Sequence, residues 1–134
     1  MTRLTVIEGI GESYEAKLKE IGINSIEAYL EECTTKKGRT NIAEKSGISE
    51  KLILKWANHA DLIRIKGIGG EYSELLEAAG VDTVPELSKR KAENLYNKML
   101  EVNEEKKLVR KPPALKQVEK WVEEAGTLPR KLNY

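Results

Sequence analysis

The chain of 134 residues has one cysteine, Cys33, and one histidine, His59. A single cysteine excludes an internal disulfide, and with it the class of small secreted domains stapled by disulfides. The chain reads as intracellular, and the cytoplasm is the expected location. One histidine and one cysteine without clustered partners provide no transition-metal site. Cys33 follows Glu31 and Glu32, whose negative charge opposes a thiolate, so a reactive thiol is not expected. Asp61 lies close to His59, but no serine or cysteine nucleophile completes a triad. No apolar run is long enough to span a membrane. The opening MTRLTVIEGIG lacks the apolar stretch of a signal peptide. The glycine-bearing segments lack the Lys-Ser/Thr pair of a P-loop. No stretch alternates as a β-strand does. Charge of one sign is missing too: 23 basic residues stand against 22 acidic ones, a formal net charge of +1. A dedicated nucleic-acid binder usually carries a clear basic excess, so any positive surface here must come from local clustering. These absences point away from an enzyme, a small-molecule substrate and a membrane partner.

What is present is a core-forming composition, 40% hydrophobic and 34% charged, in a length that fits one ordinary domain or two very small ones. The chain also repeats itself. Ile7–Gly11 reads IEGIG and Ile65–Gly69 reads IKGIG, an offset of 58. At that offset Tyr14 meets Tyr72, Leu18 meets Leu76 and Gly22 meets Gly80. Ile23, Asn24, Ser25 and Ile26 meet Val81, Asp82, Thr83 and Val84. Lys51–Ala60 also resembles Lys116–Ala125, with Trp56 and Trp121 at an offset of 65. The second copy therefore carries about seven extra residues, placed between Lys89 and Lys111. The expected units are 1–63 and 64–134.

Spacing predicts helices throughout. Tyr14, Leu18 and Ile21 share one helical face, as do Tyr72, Leu76 and Ala79. Gly22 and Gly80 end those helices where glycine can turn left-handed. Ser25 and Thr83 are expected to cap the next helices, Thr83 with Glu86 as a capping box. Asn41–Ser46 and Ser49–His59 read as two helices broken at Gly47. Leu95, Met99 and Val102 mark a longer helix stopped by Pro112 and Pro113, and a final helix runs from about Ala114 to Ala125. The expected fold is all-α, with two related units packed into one compact body. Trp56, Trp121, Tyr14 and Tyr72 lie on apolar stripes and are expected in the core.

The pattern apolar–x–Gly–apolar–Gly followed by a helix, with Leu18 and Leu76 seven residues beyond the second glycine, resembles the helix-hairpin-helix motif. Glycine permits a turn too tight for a side chain. The helix that follows presents free N–H groups and the positive end of its dipole, a place for a phosphate. The segment GIGGEYSELLEAAGVDTVPEL looks like the hairpin and following helix of DNA-repair and recombination proteins. NIAEKSGISEKLILKWANHA looks like the second hairpin of such a unit, with Gly47–Ile48–Ser49 in place of Gly–apolar–Gly. At the corresponding place the second unit reads RKPPAL, a degenerate hairpin. Nearly the whole chain is similar to an uncharacterised bacterial and archaeal family of tandem helix-hairpin-helix proteins, a domain of unknown function. The resemblance implies two hairpins gripping duplex DNA across the minor groove without reading sequence. It also implies that carbonyls of a hairpin turn can hold a monovalent cation, with no other cofactor.

On that reading the phosphate contacts are backbone amides of Gly9, Ile10, Gly11 and Glu12, with Lys17 nearby, and of Gly67, Ile68, Gly69 and Gly70. Lys36, Lys37 and Arg39, in the glycine-containing loop TTKKGRT, add charge, as do Lys89, Arg90 and Lys91 in SKRK. Lys106, Lys107, Arg110 and Lys111 form a further cluster. Other residues argue against phosphate. Ser13 and Glu71 stand where phosphate-binding hairpins often place lysine, Glu12 follows the first loop, and Glu71, Glu74 and Glu77 line the second helix, where carboxylates near the N-terminus compete with a phosphate. The first hairpin is the better candidate. The alternative function is a protein-interaction or scaffold module that kept the fold and lost the phosphate grip. A helix-turn-helix reading of Ala43, Gly47 and Ile53, with Glu50, Lys51 and Lys55 facing a major groove, is weaker, because a hairpin already explains those residues. Gly69 is expected at positive φ, so that Gly69→Val would unfold the second unit.

Overall fold

The computed structural model describes all residues from Met1 to Tyr134. Every regular element is helical: a 3-10 turn at Leu4–Val6, then α1 (Glu12–Glu20), α2 (Ile26–Glu32), α3 (Lys36–Ser46), α4 (Glu50–Ile63), α5 (Gly70–Ala78), α6 (Val84–Ser88), α7 (Ala92–Lys106) and α8 (Leu115–Ala125). The all-α class follows the sequence pattern. By packing, the chain divides into a first unit, Met1–Asp61 with Lys131–Tyr134, and a second unit, Leu62–Arg130.

In the first unit, helix periodicity sets the core. Leu18 of α1, Ile26, Tyr29 and Leu30 of α2, Ile42 of α3, and Ile53, Trp56 and Ala57 of α4 are buried with Leu4, Ile7 and Ile10. Each large aliphatic side chain so buried contributes roughly 1.5–3 kcal/mol. Gly22, at φ 91°, turns the chain out of α1. Its N–H bonds Lys19 O at 3.0 Å and that of Ile23 bonds Leu18 O at 3.0 Å, which satisfies carbonyls the helix leaves open. Ser25 Oγ caps α2 by accepting from Ala28 N at 3.1 Å. Gly47, at φ 75°, separates α3 from α4.

The segment TTKKGRT is not a loop. Thr35 caps α3 by accepting from Gly38 N at 3.1 Å, and Lys36–Thr40 form the first turns of that helix. A Cβ on residue 38 would lie 2.0 Å from Glu32 O. Gly38 therefore serves close approach of α3 to the end of α2, a contact the sequence alone does not reveal.

The last residues, Lys131–Tyr134, were expected in the second unit. They pack on the first, because Leu132 finds burial there and Asn133 N–H finds an acceptor in Thr34 O at 2.9 Å.

The second unit buries Leu75 and Leu76 of α5, Val84 and Leu87 of α6, Leu95 and Met99 of α7, and Val118 and Trp121 of α8. Gly80 repeats the exit of Gly22, at φ 95°. Thr83 does not complete a capping box. Its hydroxyl accepts from no backbone N–H of α6 and donates instead to Glu86 Oε1 at 3.1 Å. Nor do the prolines end α7. The helix stops at Lys106, with Lys107 left-handed at φ 51°. Asn103 then holds Val109 through both backbone groups: Nδ2 donates to its carbonyl at 3.2 Å and Oδ1 accepts its N–H at 2.9 Å. The extra residues of the second copy fall in this long helix and its exit.

Candidate nucleic-acid interface

The two Gly-Ile-Gly segments make the same backbone hydrogen bonds. Ile7 N bonds Leu4 O and Ile10 N bonds Ile7 O, both at 3.1 Å; Ile65 N bonds Leu62 O and Ile68 N bonds Ile65 O, again at 3.1 Å. Each is a tight turn whose third residue, Gly9 or Gly67, has φ of 94° or 92°. Only glycine takes that conformation cheaply. The turn closes because both isoleucines that flank it, Ile7 with Ile10 and Ile65 with Ile68, are buried. A second demand on glycine comes from the tryptophans. A Cβ on Gly9 would lie 3.3 Å from Trp56 Nε1, and one on Gly67 3.3 Å from Trp121 Nε1. The tyrosines pack against the same rings, Tyr14 edge-on at 4.9 Å from Trp56 and Tyr72 tilted at 5.2 Å from Trp121, centroid to centroid. The repeated Trp, Tyr and Gly thus form one contact in each unit, which their recurrence in both copies signals in the sequence.

The second glycines behave differently from expectation. Gly11 and Gly69 are extended, with φ of −91° and −109°, and open space surrounds their missing Cβ. They stand as helix N-caps, and positive φ belongs to Gly9 and Gly67. No side chain caps α1 or α5, whereas Ser25 and Thr35 cap α2 and α3. The first amides of α1 and α5 are therefore left for solvent or a ligand.

The two turns are not equally accessible. Gly9, Gly11 and Glu12 are exposed; Gly67 is exposed, but Gly69 is half-buried and Gly70 buried. Ile10 and Ile68 are core residues, and their amides, expected to meet phosphate, already donate to Ile7 O and Ile65 O within the turns. Near the Gly67 turn, Glu124 Oε2 accepts Lys66 N–H at 3.3 Å, so a carboxylate already engages that turn. On α1, Glu15 is tied to Arg3 at 3.4 Å and to Lys19 at 3.9 Å. Lys17 stays exposed, its ammonium 5.7 Å from the Tyr14 ring centroid.

The basic clusters divide sharply. Lys36 and Lys37 are exposed on the first turn of α3. They line an open groove of about 790 Å³ with Glu31, Glu32, Glu44 and Thr35. Arg39, expected to face nucleic acid, is 6% exposed. Its Nη1 donates to Cys33 O at 2.8 Å and its Nη2 to Asn133 O at 3.0 Å. A guanidinium presents a rigid fork of donors, and here two carbonyls fill it. Lys89 and Lys91 are exposed, but Arg90 is half-buried with Nη1 3.5 Å from Ala79 O at the end of α5, where a cation suits the helix dipole. Lys107 and Arg110 share a second groove, of about 590 Å³, with Glu71 and Glu104.

No three His, Cys, Asp or Glu side chains are placed to hold a metal ion. Burial pushes the Cys33 thiol up to about 12. No helix is long and apolar enough to cross a membrane. Residues 8–128 match the family model described as "Domain of unknown function (DUF4332)". No curated protein and no solved structure matches the chain.

Proposed function

The chain belongs to the DUF4332 family, and from that premise we propose that its first unit binds nucleic acid, duplex DNA foremost, through backbone phosphates and without base readout. The observation that carries this reading is the exposed, uncapped start of α1 behind a rigid turn. Buried Ile7 and Ile10 fix the turn, and the free amides of Gly11, Glu12 and Ser13 point out of the helix with its positive end. The helix-hairpin-helix likeness of the sequence supports the same use. Lys36 and Lys37 add to it. They sit in the first turn of α3, where the helix dipole disfavours cations and no acidic residue shares the turn, though Glu31, Glu32 and Glu44 line the same groove. A nearby anion relieves that repulsion. Lys17 supplies a third exposed cation. The Gly67 turn, with its buried Gly70 and its Glu124 carboxylate, serves the fold, and Lys89 and Lys91 contribute at most long-range attraction.

The test is a titration of the full chain with duplex and single-stranded DNA at two salt concentrations. Phosphate binding requires affinity that falls with salt, by about 0.9 in the logarithmic slope for each phosphate neutralised on a duplex. Replacing Lys36 and Lys37 by alanine lowers that slope by up to about two units. Absence of binding at low salt refutes the reading. The second reading, a protein-interaction module, is favoured by the near-neutral charge of +1 and by Glu12 beside the turn. Binding to a protein partner that survives loss of both lysines, with none to DNA, decides for it.

A further inference from the structure

Arg39 is the basic residue of its cluster that the protein hides, and a four-residue segment does much of the hiding. Asn133 O accepts from Arg39 Nη2 at 3.0 Å, and the Tyr134 ring lies 5.5 Å from the guanidinium carbon. The segment is docked by Leu132, 2% exposed, by the Asn133 N–H on Thr34 O at 2.9 Å, and by the Tyr134 hydroxyl on Asn58 Oδ1. Lys131 pairs with Glu31 at 3.3 Å, but both side chains are well exposed and such a pair adds little. Lys36 and Arg39 are three residues apart, hence on one face of α3. Together with Tyr134, Glu50 and Leu54 they line a hollow of about 290 Å³.

We propose that Lys131–Tyr134 is a strap that competes with nucleic acid for Arg39. Docked, it fills half of the guanidinium fork with a neutral carbonyl and lays an aromatic ring over the cation. Released, it leaves Arg39 beside the exposed Lys36 as a pair of phosphate-binding cations on α3. A phosphate offers the freed half of this fork a charge-assisted bond about twice as strong as that to a neutral carbonyl. A polyanion therefore binds the open state better than the closed one, which is the differential affinity that a population shift needs. The bond from Nη1 to Cys33 O does not involve the strap and keeps Arg39 oriented in both states. This inference rests on the reading of the first unit as a nucleic-acid binder, and it makes the strap the regulator of that site.

The test uses the full chain. Leu132→Asp places a charge where the strap is most buried and undocks it. Duplex DNA should then bind on the order of tenfold more tightly at low salt, as one added charge-assisted contact implies. The slope of log affinity against log salt should steepen by about 0.9. Adding Arg39→Gln to Leu132→Asp should return both quantities to the strapped values. Far-ultraviolet circular dichroism checks the fold of each variant. If Leu132→Asp melts, Tyr134→Ala, at an exposed ring, makes the same comparison. Equal slopes in strapped and unstrapped chains that both bind DNA overturn the strap and leave the first-unit reading standing. No binding by either chain overturns both.

Discussion

Gly67 and Gly69 sit two residues apart in one turn, yet their replacement by alanine should have opposite consequences. Gly67 has φ of 92°, where a Cβ-bearing residue is strained by roughly 1–2 kcal/mol. Its new methyl would also lie 3.3 Å from Trp121 Nε1, and that ring is 2% exposed with little room to give. Overpacking of this kind adds about 1 kcal/mol. Gly67→Ala should therefore cost about 2–3 kcal/mol. At roughly 4 °C per kcal/mol for a chain of this size, the melting midpoint should fall by about 8–12 °C. Gly69 has φ of −109°, and nothing lies within 4 Å of the Cβ position. Gly69→Ala should leave stability within about 0.5 kcal/mol, or raise it slightly by restricting the unfolded chain. Thermal melts followed by far-ultraviolet circular dichroism, with urea midpoints as a second measure, compare the two variants directly. Equal losses, or a larger loss at Gly69, would refute the assignment of strain to the first glycine. Gly9 and Gly11 should repeat the contrast in the first unit, since Gly9 meets Trp56 Nε1 at the same 3.3 Å.

Two other outcomes follow from buried groups of the first unit. Gly38→Ala forces a methyl to within 2.0 Å of Glu32 O, so α3 must shift from α2. A loss of about 1–3 kcal/mol is expected in a urea melt, and an unchanged midpoint would show that α3 starts elsewhere. Cys33 should resist thiol reagents at pH 8 in the folded chain and react promptly once urea unfolds it. Its thiol is raised from an ordinary value of 9.0 to about 12, chiefly by burial. The unfolded thiol ionises from pH 9 upward while the folded one cannot. The stability it contributes is thus complete below pH 9 and is lost as pH rises through 9 to 12, with buried Tyr29 shifted in the same direction. A urea midpoint that holds steady from pH 8 to pH 11 would contradict the burial of both groups.

Much of the architecture was readable because its signals are local. Apolar spacing over three or four residues placed the stripes of α1, α2, α5 and α8. The left-handed exits at Gly22 and Gly80 need only glycine after a periodic run, and the cap at Ser25 only its hydroxyl before one. Where local reading failed, a partner nearby in sequence had still been misjudged. Gly38 looked like a loop glycine because glycine lowers helix propensity. The close carbonyl that makes it necessary, Glu32 O, belongs to the preceding helix. Thr83 and Glu86 had the spacing of a capping box, but the Thr83 hydroxyl donates to the Glu86 carboxylate instead of accepting from its backbone N–H. The positive φ went to the first glycine of each pair, since the turn closes on Ile7 O and Ile65 O and puts Gly9 and Gly67 at its third position.

The candidate site was legible in part for the same reason. A repeated glycine turn, a helix start and exposed lysines are properties of short segments, and the sequence by itself determined them: an all-α chain with one turn used twice. Which of those groups face solvent was decided by tertiary structure alone. Arg39 and Asn133 are 94 residues apart, and Lys66 and Glu124 are 58 apart. No periodicity or motif spans such distances. Only folding brings a carbonyl to a guanidinium or a carboxylate to a backbone amide, and those two contacts occupy the Arg39 fork and an amide of the Gly67 turn.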